Sequence, residues 1–300
     1  MRKIKIGGIA LFGGLVVFAA ALFAQNAADV EITTTDLGSG IHAIVAQGGN
    51  MAISIGPDGV YVIDDQYAAL SERLLETIGG LTDGPIRYVV NTHWHGDHTG
   101  GNEAFGAIGA AIVSHDNVRT RMEEGMESNW FGRSVEPQSG AVLPAVTFSE
   151  DASFHFNGHD VRLIHAPAAH TDGDTIVHFI GANVLHMGDT YFNGWYPYVD
   201  VASGGSTDGM IAALALGLSL SDENTVVIPG HGPLGGRAEL QAAHDMLVEV
   251  RTRVQGAINE GRSEDDAVAV DLLADLNEDW DWQFITAERM VRLTYHSLTQ

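Results

Sequence analysis

Thr92-His93-Trp94-His95-Gly96-Asp97-His98 places three imidazoles and a carboxylate within six positions, directly after the apolar run Tyr88-Val89-Val90. A loop at the end of a strand points alternate side chains into one cavity. His93 and His95 lie two apart and so share a side in extended backbone. Past the flexible Gly96, Asp97 and His98 turn toward a second point. Imidazole and carboxylate together suit zinc, at ligand distances of roughly 2.0–2.2 Å.

Two side chains on one metal do not complete a tetrahedral site, so further donors must come from elsewhere in the chain. Three later residues share the same setting, a polar side chain just after a strand-like run. His170 lies in Ala168-Ala169-His170-Thr171-Asp172-Gly173-Asp174, Asp189 follows Val184-Leu185-His186-Met187-Gly188, and His231 lies in Ile228-Pro229-Gly230-His231-Gly232. Each alone is ordinary turn chemistry; together with the first motif they support one another. The chain has no cysteine. Any metal is therefore held by imidazole and carboxylate, and disulfides, a thiol nucleophile and a lipid-modified cysteine are all excluded.

Around these motifs the hydrophobic pattern predicts short strands at 30–35, 41–47, 51–55 and 60–64, separated by Gly, Asn and Asp as in an antiparallel meander. A helix follows over 67–78, with Gly79-Gly80 as its stop. A buried strand is expected at 87–91, a helix at 101–105, a strand at 111–114 and a helix at 116–124. The second half repeats this grammar: strands at 145–148, 153–156, 161–165, 175–179 and 184–187, a helix near 208–218 and a strand at 225–228. Strands then helices, done twice, indicate two sheet-plus-helix halves packed sheet on sheet. From Arg237 onward the pattern is helical, over 238–259, 264–276 and 287–298.

The formal charge is -24, from 15 basic and 39 acidic residues. It is spread along the chain and argues against nucleic acid or an anionic membrane as partner, leaving a small-molecule substrate. The sequence leaves the oligomeric state open. Arg2, Lys3 and Lys5 precede an apolar run over 6–24 that ends in small residues, the pattern of a signal peptide at 1–28 and hence a periplasmic protein, with an uncleaved membrane anchor as the alternative. Beyond that leader the basic residues are all arginine. A catalytic domain is expected over 29–236 and a helical extension, packed on the same domain, over 237–300.

The motif set His93-x-His95-x-Asp97-His98, His170, Asp189 and His231 resembles the metallo-β-lactamase superfamily, with matching positions from about residue 41 to 236. Val60-Tyr61-Val62-Ile63-Asp64 looks like that family's first motif. The resemblance implies an α+β fold, the αββα four-layer sandwich, here with a C-terminal helical extension. It implies two Zn2+ per chain, with iron or manganese as alternative occupants. His93, His95 and His170 would hold the first metal, Asp97, His98 and His231 the second, and Asp189 would bridge them together with a water or hydroxide. Asp64 would buttress the metal loop, and Asp97 would orient the nucleophile as well as bind metal.

That layout implies hydrolysis of an amide, lactam, lactone or ester carbonyl, with weak β-lactamase activity the leading named case. Where cysteine-bearing lactamases place a metal ligand, this chain has Asp189. Three residues on, where they place a carboxylate-binding lysine, it has Phe192, so Arg119, Arg121 or Arg133 would have to substitute. A thioesterase of glyoxalase II type is the alternative hydrolase, and a non-catalytic metal-holding binding module is the alternative of another class. Two loops are candidates to shape the pocket: Gln47-Gly48-Gly49-Asn50-Met51, and the run 191–198 with its five aromatics. That run serves either as an apolar wall for a ligand or as packing against the C-terminal helices. His165, His178 and His186 sit inside strand-like runs and read as structural.

Overall fold

A computed structural model describes residues 27–300. The leader expected over 1–28 lies almost wholly outside them. Ala27–Asp29 forms a short 3-10 turn, and residues from Ile32 to Gln300 form one compact unit.

The first half runs β1 (Thr33–Gly38), β2 (Ile41–Val45), β3 (Met51–Gly56), β4 (Gly59–Ile63), α1 (Ser71–Leu81), β5 (Ile86–Val90), α2 (Gly96–Thr99), α3 (Asn102–Ala107), β6 (Ala111–His115), α4 (Asp116–Glu124) and β7 (Val146–Phe148). Its strands make a seven-stranded sheet in sequence order. Pairing is antiparallel from β1 to β4, the meander expected of these four strands, and parallel from β4 to β7. The second half supplies β8 (Ala152–Phe156), β9 (His159–Ala166), β10 (Asp174–Phe179), β11 (Val184–Phe192), α5 (Thr207–Leu220) and β12 (Val226–His231). These strands form a five-stranded sheet in the order β12-β11-β10-β9-β8. The chain then continues as α6 (Arg237–Asn259), α7 (Glu264–Ala269), α8 (Asn277–Trp280) and α9 (Ala287–Thr299).

Alternation along the strands builds the layers. Tyr61 and Ile63 of β4, Val177 and Phe179 of β10, and Val184 of β11 turn inward, and together with Ile41, Val90 and Ile228 they fill the core between the two sheets. Leu185 and Met187 of β11 point the other way and pack with α5 and the C-terminal helices. The first sheet is covered on its outer side by α3 and α4. The result is four layers, helix, sheet, sheet and helix. Among the described residues no helix is long and apolar enough to cross a membrane.

Two helix expectations fail for local reasons. Gly79 and Gly80 do not stop α1, which runs on to Leu81 and ends at extended Thr82. Both glycines are exposed, so the helix continues through them at the modest cost glycine carries in such positions. The helix expected over 264–276 breaks after Ala269, where Asp271 takes a left-handed backbone with φ 52°.

The parallel pairing of β4 with β5 sets up the site. Ile63 is in register with Val90, so Asp64 and the Asn91-Thr92 pair leave the sheet at the same edge. The Asp64 amide donates to Val90 O at 2.8 Å. Parallel β11 and β12 end at a comparable edge of the second sheet, the usual place for ligands in such sheets.

Candidate metal centre

The seven sequence-predicted ligands come together as two groups. One comprises His93, His95, His170 and Asp189; the other comprises Asp97, His98 and His231; within each, the donor atoms lie within 4.8 Å of one another. Asp189 stands between the two. Its Oδ2 is 3.8 Å from His93 Nε2, 3.5 Å from His170 Nε2 and 3.4 Å from His231 Nε2, and its Oδ1 is 3.1 Å from His98 Nε2. Asp97 Oδ2 is 3.3 Å from His231 Nε2 and 3.8 Å from His98 Nε2. His170 sits in the turn between β9 and β10. Asp189 and His231 lie on β11 and β12 rather than after them. Around Asp189 the ladder is irregular, with register shifts at Gly188, and Gly230 allows the close approach, because a Cβ there would collide with Asp189 Oδ1.

Outer partners decide which ring nitrogen faces inward. A carboxylate or carbonyl oxygen only accepts, so the nitrogen against it carries the proton. His98 Nδ1–H donates to Asp64 Oδ2 at 2.7 Å, His95 Nε2–H to Asp200 Oδ2 at 2.9 Å, and His170 Nδ1–H to Tyr198 O at 2.7 Å. This leaves His98 Nε2, His95 Nδ1 and His170 Nε2 for the centre. His95 Nδ1 and His170 Nε2 then converge to 2.9 Å. His93 Nε2 is buried and has no hydrogen-bond partner. A buried polar atom left in that state costs roughly 1–3 kcal/mol. Its aim into a cluster of imidazoles and carboxylates matches the donor set that zinc takes, so these residues fit a divalent metal pair.

The charges tell the same story. Burial, reinforced by His98, holds His93 well below the usual imidazole range. Burial likewise lowers His170, to about 4. Both rings therefore present lone pairs. At His98 burial pushes downward, but Asp189, Asp64 and Asp97 outweigh it and hold the ring well up. His231 is raised to about 9 against its burial, chiefly by Asp189. Asp189 itself, despite burial, is kept well below the ordinary carboxylate range by His231, His98 and His93. Cations entering this cluster have to displace the protons that His98 and His231 hold.

Asp64 buttresses the histidine loop from outside. It is fully buried; its Oδ1 accepts from Thr92 N at 2.7 Å and its Oδ2 from Thr92 Oγ1 at 2.8 Å, besides the His98 contact. It adopts φ 60°, a left-handed backbone that aspartate tolerates better than most residues. Other partners were not legible in the sequence. Asp200 anchors His95. Gln66 Oε1 accepts from Gly48 N at 2.6 Å, and its amide donates to Gly49 O. The Gln47–Met51 loop is thereby pinned against Asp97 and His98: Gly49 N donates to Asp97 O at 3.1 Å, and a Cβ at Gly49 would collide with the His98 ring. Asn50 Nδ2 donates to Pro229 O at 3.0 Å and Gly232 O at 2.9 Å, tying this loop to that of His231. The three structural histidines stay off the centre; His186, for example, bonds Asn50 O at 3.0 Å.

Asp200→Ala is expected to cost about 10–100-fold in metal affinity or turnover, the usual effect of losing an outer partner of a ligand histidine. Asp200→Asn still accepts from His95 and should recover part of that loss. Zinc titration calorimetry on both variants checks this, and equal deficits in the two would remove Asp200 as the anchor of His95.

The fold and the site together define a metallo-hydrolase-type scaffold, and residues 54–231 match the sequence profile of the metallo-beta-lactamase superfamily. This chain belongs to that superfamily. It is 29% identical over 147 residues to a hydroxyacylglutathione hydrolase of Nitrosococcus oceani, a match covering 49% of this chain and 48% of the relative. The chain thus spans about half the length of that curated relative. Among solved structures, a metallo-beta-lactamase from Pontibacter korlensis superposes with a TM-score of 0.61 at 21% identity, covering 73% of this chain and 99% of that one. The stereoselective inverting sec-alkylsulfatase Pisa1 from Pseudomonas sp. superposes with a TM-score of 0.69 at 16% identity, covering 88% and 50%.

Proposed function

We propose that this chain is an exported hydrolase that binds two zinc ions and cleaves an amide, lactam, lactone or ester carbonyl. The observation that carries the reading is the unsatisfied, buried Nε2 of His93, aimed at six other donors brought from both halves of the fold. His93, His95 and His170 would hold one metal, Asp97, His98 and His231 the other, with Asp189 between them. Bound there, the metals supply an acidified water and a Lewis acid for the carbonyl oxygen. The chain's own residues do the rest. His95, Asp97 and His231 keep about a fifth of their side chains exposed, at 20%, 21% and 18%, and form the mouth of the site. Asp97 stands there to orient the attacking water. Phe192 stacks on His231 with ring centres 5.3 Å apart, and Tyr198 on His95 at 6.0 Å, keeping water from one side of the mouth.

Zinc-loaded protein is expected to hydrolyse at least one member of a panel holding a chromogenic cephalosporin, a lactone, an aryl ester and a thioester, and to lose that activity to a chelator. Protein that carries two zinc ions and turns over none of the panel would instead be a metal-holding binding module. Thioester cleavage is the second reading, favoured by the similarity to hydroxyacylglutathione hydrolase, and the thioester arm decides it. Export rests on the leader alone. N-terminal sequencing of the periplasmic protein tests it, with cleavage expected near residues 24–28.

Phe192 takes the place of an anion-binding lysine, and its stacking on His231 gives it another task. Of the three arginines able to meet a substrate anion, Arg119 is paired with Glu123 at 2.6 Å and Arg121 with Asp172 at 2.7 Å. Arg133 is exposed. Tyr67 is raised first by its burial and then by Asp97 and Asp189, and the Arg133 charge opposes that rise, which supports giving the anion contact to Arg133. Arg133→Ala is expected to raise KM for an anionic substrate several-fold, with kcat little changed and a neutral ester unaffected. That is the behaviour of an exposed charge contact worth up to about 1 kcal/mol. An equal loss on both substrates would contradict this role.

A further inference from the structure

The aromatic run at 191–198 does not itself form an open wall. Tyr191 and Tyr196 are fully buried, and Phe192 and Tyr198 nearly so; they pack with the C-terminal helices. What they leave at the surface is a second tier of rings. Tyr198, which stacks on His95, meets Phe131 at 5.3 Å and Phe284 at 5.8 Å. Phe192, which stacks on His231, meets Trp282 at 6.3 Å. Phe131 and Phe284 lie 4.9 Å apart, and Trp282 and Phe284 5.5 Å. Phe131, Trp282 and Phe284 are each only partly buried. The ledge is therefore continuous and lies one ring beyond two of the three exposed ligands.

Its parts come from separate places. Phe131 sits on the hairpin closed by the Met126–Val135 bridge, between α4 and β7. Trp282 and Phe284 lie between α8 and α9, outside the region shared with the superfamily profile. The ledge is also held in shape. Trp282 Nε1 donates to Tyr196 O at 2.9 Å, Trp282 stacks on Trp195 at 4.7 Å, and the Arg289 guanidinium lies over the Phe131 ring at 5.4 Å. Partly wet aromatic rings fixed beside a polar centre are the usual make-up of a small-molecule pocket, apolar walls with a few oriented polar groups.

We propose that Phe131, Trp282 and Phe284 form a subsite for an alkyl or aryl group of the substrate, next to the metal centre. The inference rests on the hydrolase reading for where the reacting head lies, and it extends that reading to the substrate's tail. The substrate is then amphiphilic: a polar, cleavable head among His95, Asp97 and His231, and an apolar tail along the three rings.

Binding of straight-chain carboxylates to the zinc-loaded protein, from butyrate to decanoate, tests this without turnover, by calorimetry and tryptophan fluorescence. Affinity is expected to rise about twofold per methylene, half the effect of full burial, because the ledge is partly open. Phe131→Ala and Phe284→Ala should flatten that series, weakening decanoate far more than butyrate. Phe131 lies on an exposed hairpin, so its variant carries the test even where Phe284→Ala fails to fold, as circular dichroism would report. A flat series in the parent protein overturns the subsite, as does an unflattened series in folded Phe131→Ala. Rising affinity without turnover of any ester supports the subsite while counting against the hydrolase reading.

Discussion

Asp97→Ala is expected to lose turnover by well over 100-fold while keeping its fold. Outer partners of ligand histidines alone cost roughly 10–100-fold, and Asp97 stands inside the cluster. Its Oδ2 lies 3.3 Å from His231 Nε2, and it shares a histidine neighbourhood with Asp189. Structurally it carries little. The side chain is partly exposed and fills no apolar core, and the contact that ties its loop to the Gly48-Gly49 turn is made by its backbone oxygen, which alanine retains. Thermal melting should therefore move by a few degrees at most, while bound zinc falls toward one ion per chain. Steady-state kinetics together with metal analysis by mass spectrometry reads both. Unchanged kcat in a variant with full zinc content would remove Asp97 from the site.

Asp64→Ala is expected to fail in the opposite way, through the fold. The carboxylate is fully buried and accepts from Thr92 N, Thr92 Oγ1 and His98 Nδ1–H at once. Alanine leaves these three donors stranded in the interior, at roughly 1–3 kcal/mol each. For a protein of this size a loss of several kcal/mol lowers Tm by on the order of 10 °C. Asparagine does not repair it, because its amide nitrogen would face a donor. Calorimetric melting of the two variants in the presence of chelator isolates this effect from metal binding. Melting close to the parent value for either variant would contradict the role given to Asp64.

The contrast between these two aspartates shows what was legible in the sequence. All seven clustered side chains stand out because metal-binding residues recur just past apolar runs, and because five of them are histidines in glycine-broken loops. Asp64 was legible only through the resemblance of Val60–Asp64 to the superfamily's first motif. Asp200 and Gln66 were not, and Asn50 only as a member of the Gln47–Met51 loop. Asp200 reaches His95 across 105 positions, and nothing in the spacing of an isolated polar residue reports a contact of that range. The two packed halves followed from the repeated order of strands then helices, and the four layers from the family resemblance; strand alternation, in which burial selects one face of each strand, is how the fold builds them. Helix ends were harder, as at Gly79-Gly80, where exposure removes the reason to stop. The aromatic run at 191–198 was ambiguous for a physical reason: tight packing and ligand walls use the same residues. Only the fold shows that Tyr191 and Tyr196 are interior and that the exposed rings come from residues 131, 282 and 284.

Anomalous diffraction at the zinc edge, from crystals of the protein grown with zinc, tests the claim on which the rest depends. The expected result is two peaks a few ångströms apart, one among His93, His95 and His170, the other among Asp97, His98 and His231, with Asp189 touching both. A map with no peak among these residues, or with its zinc bound elsewhere on the acidic surface, would contradict it.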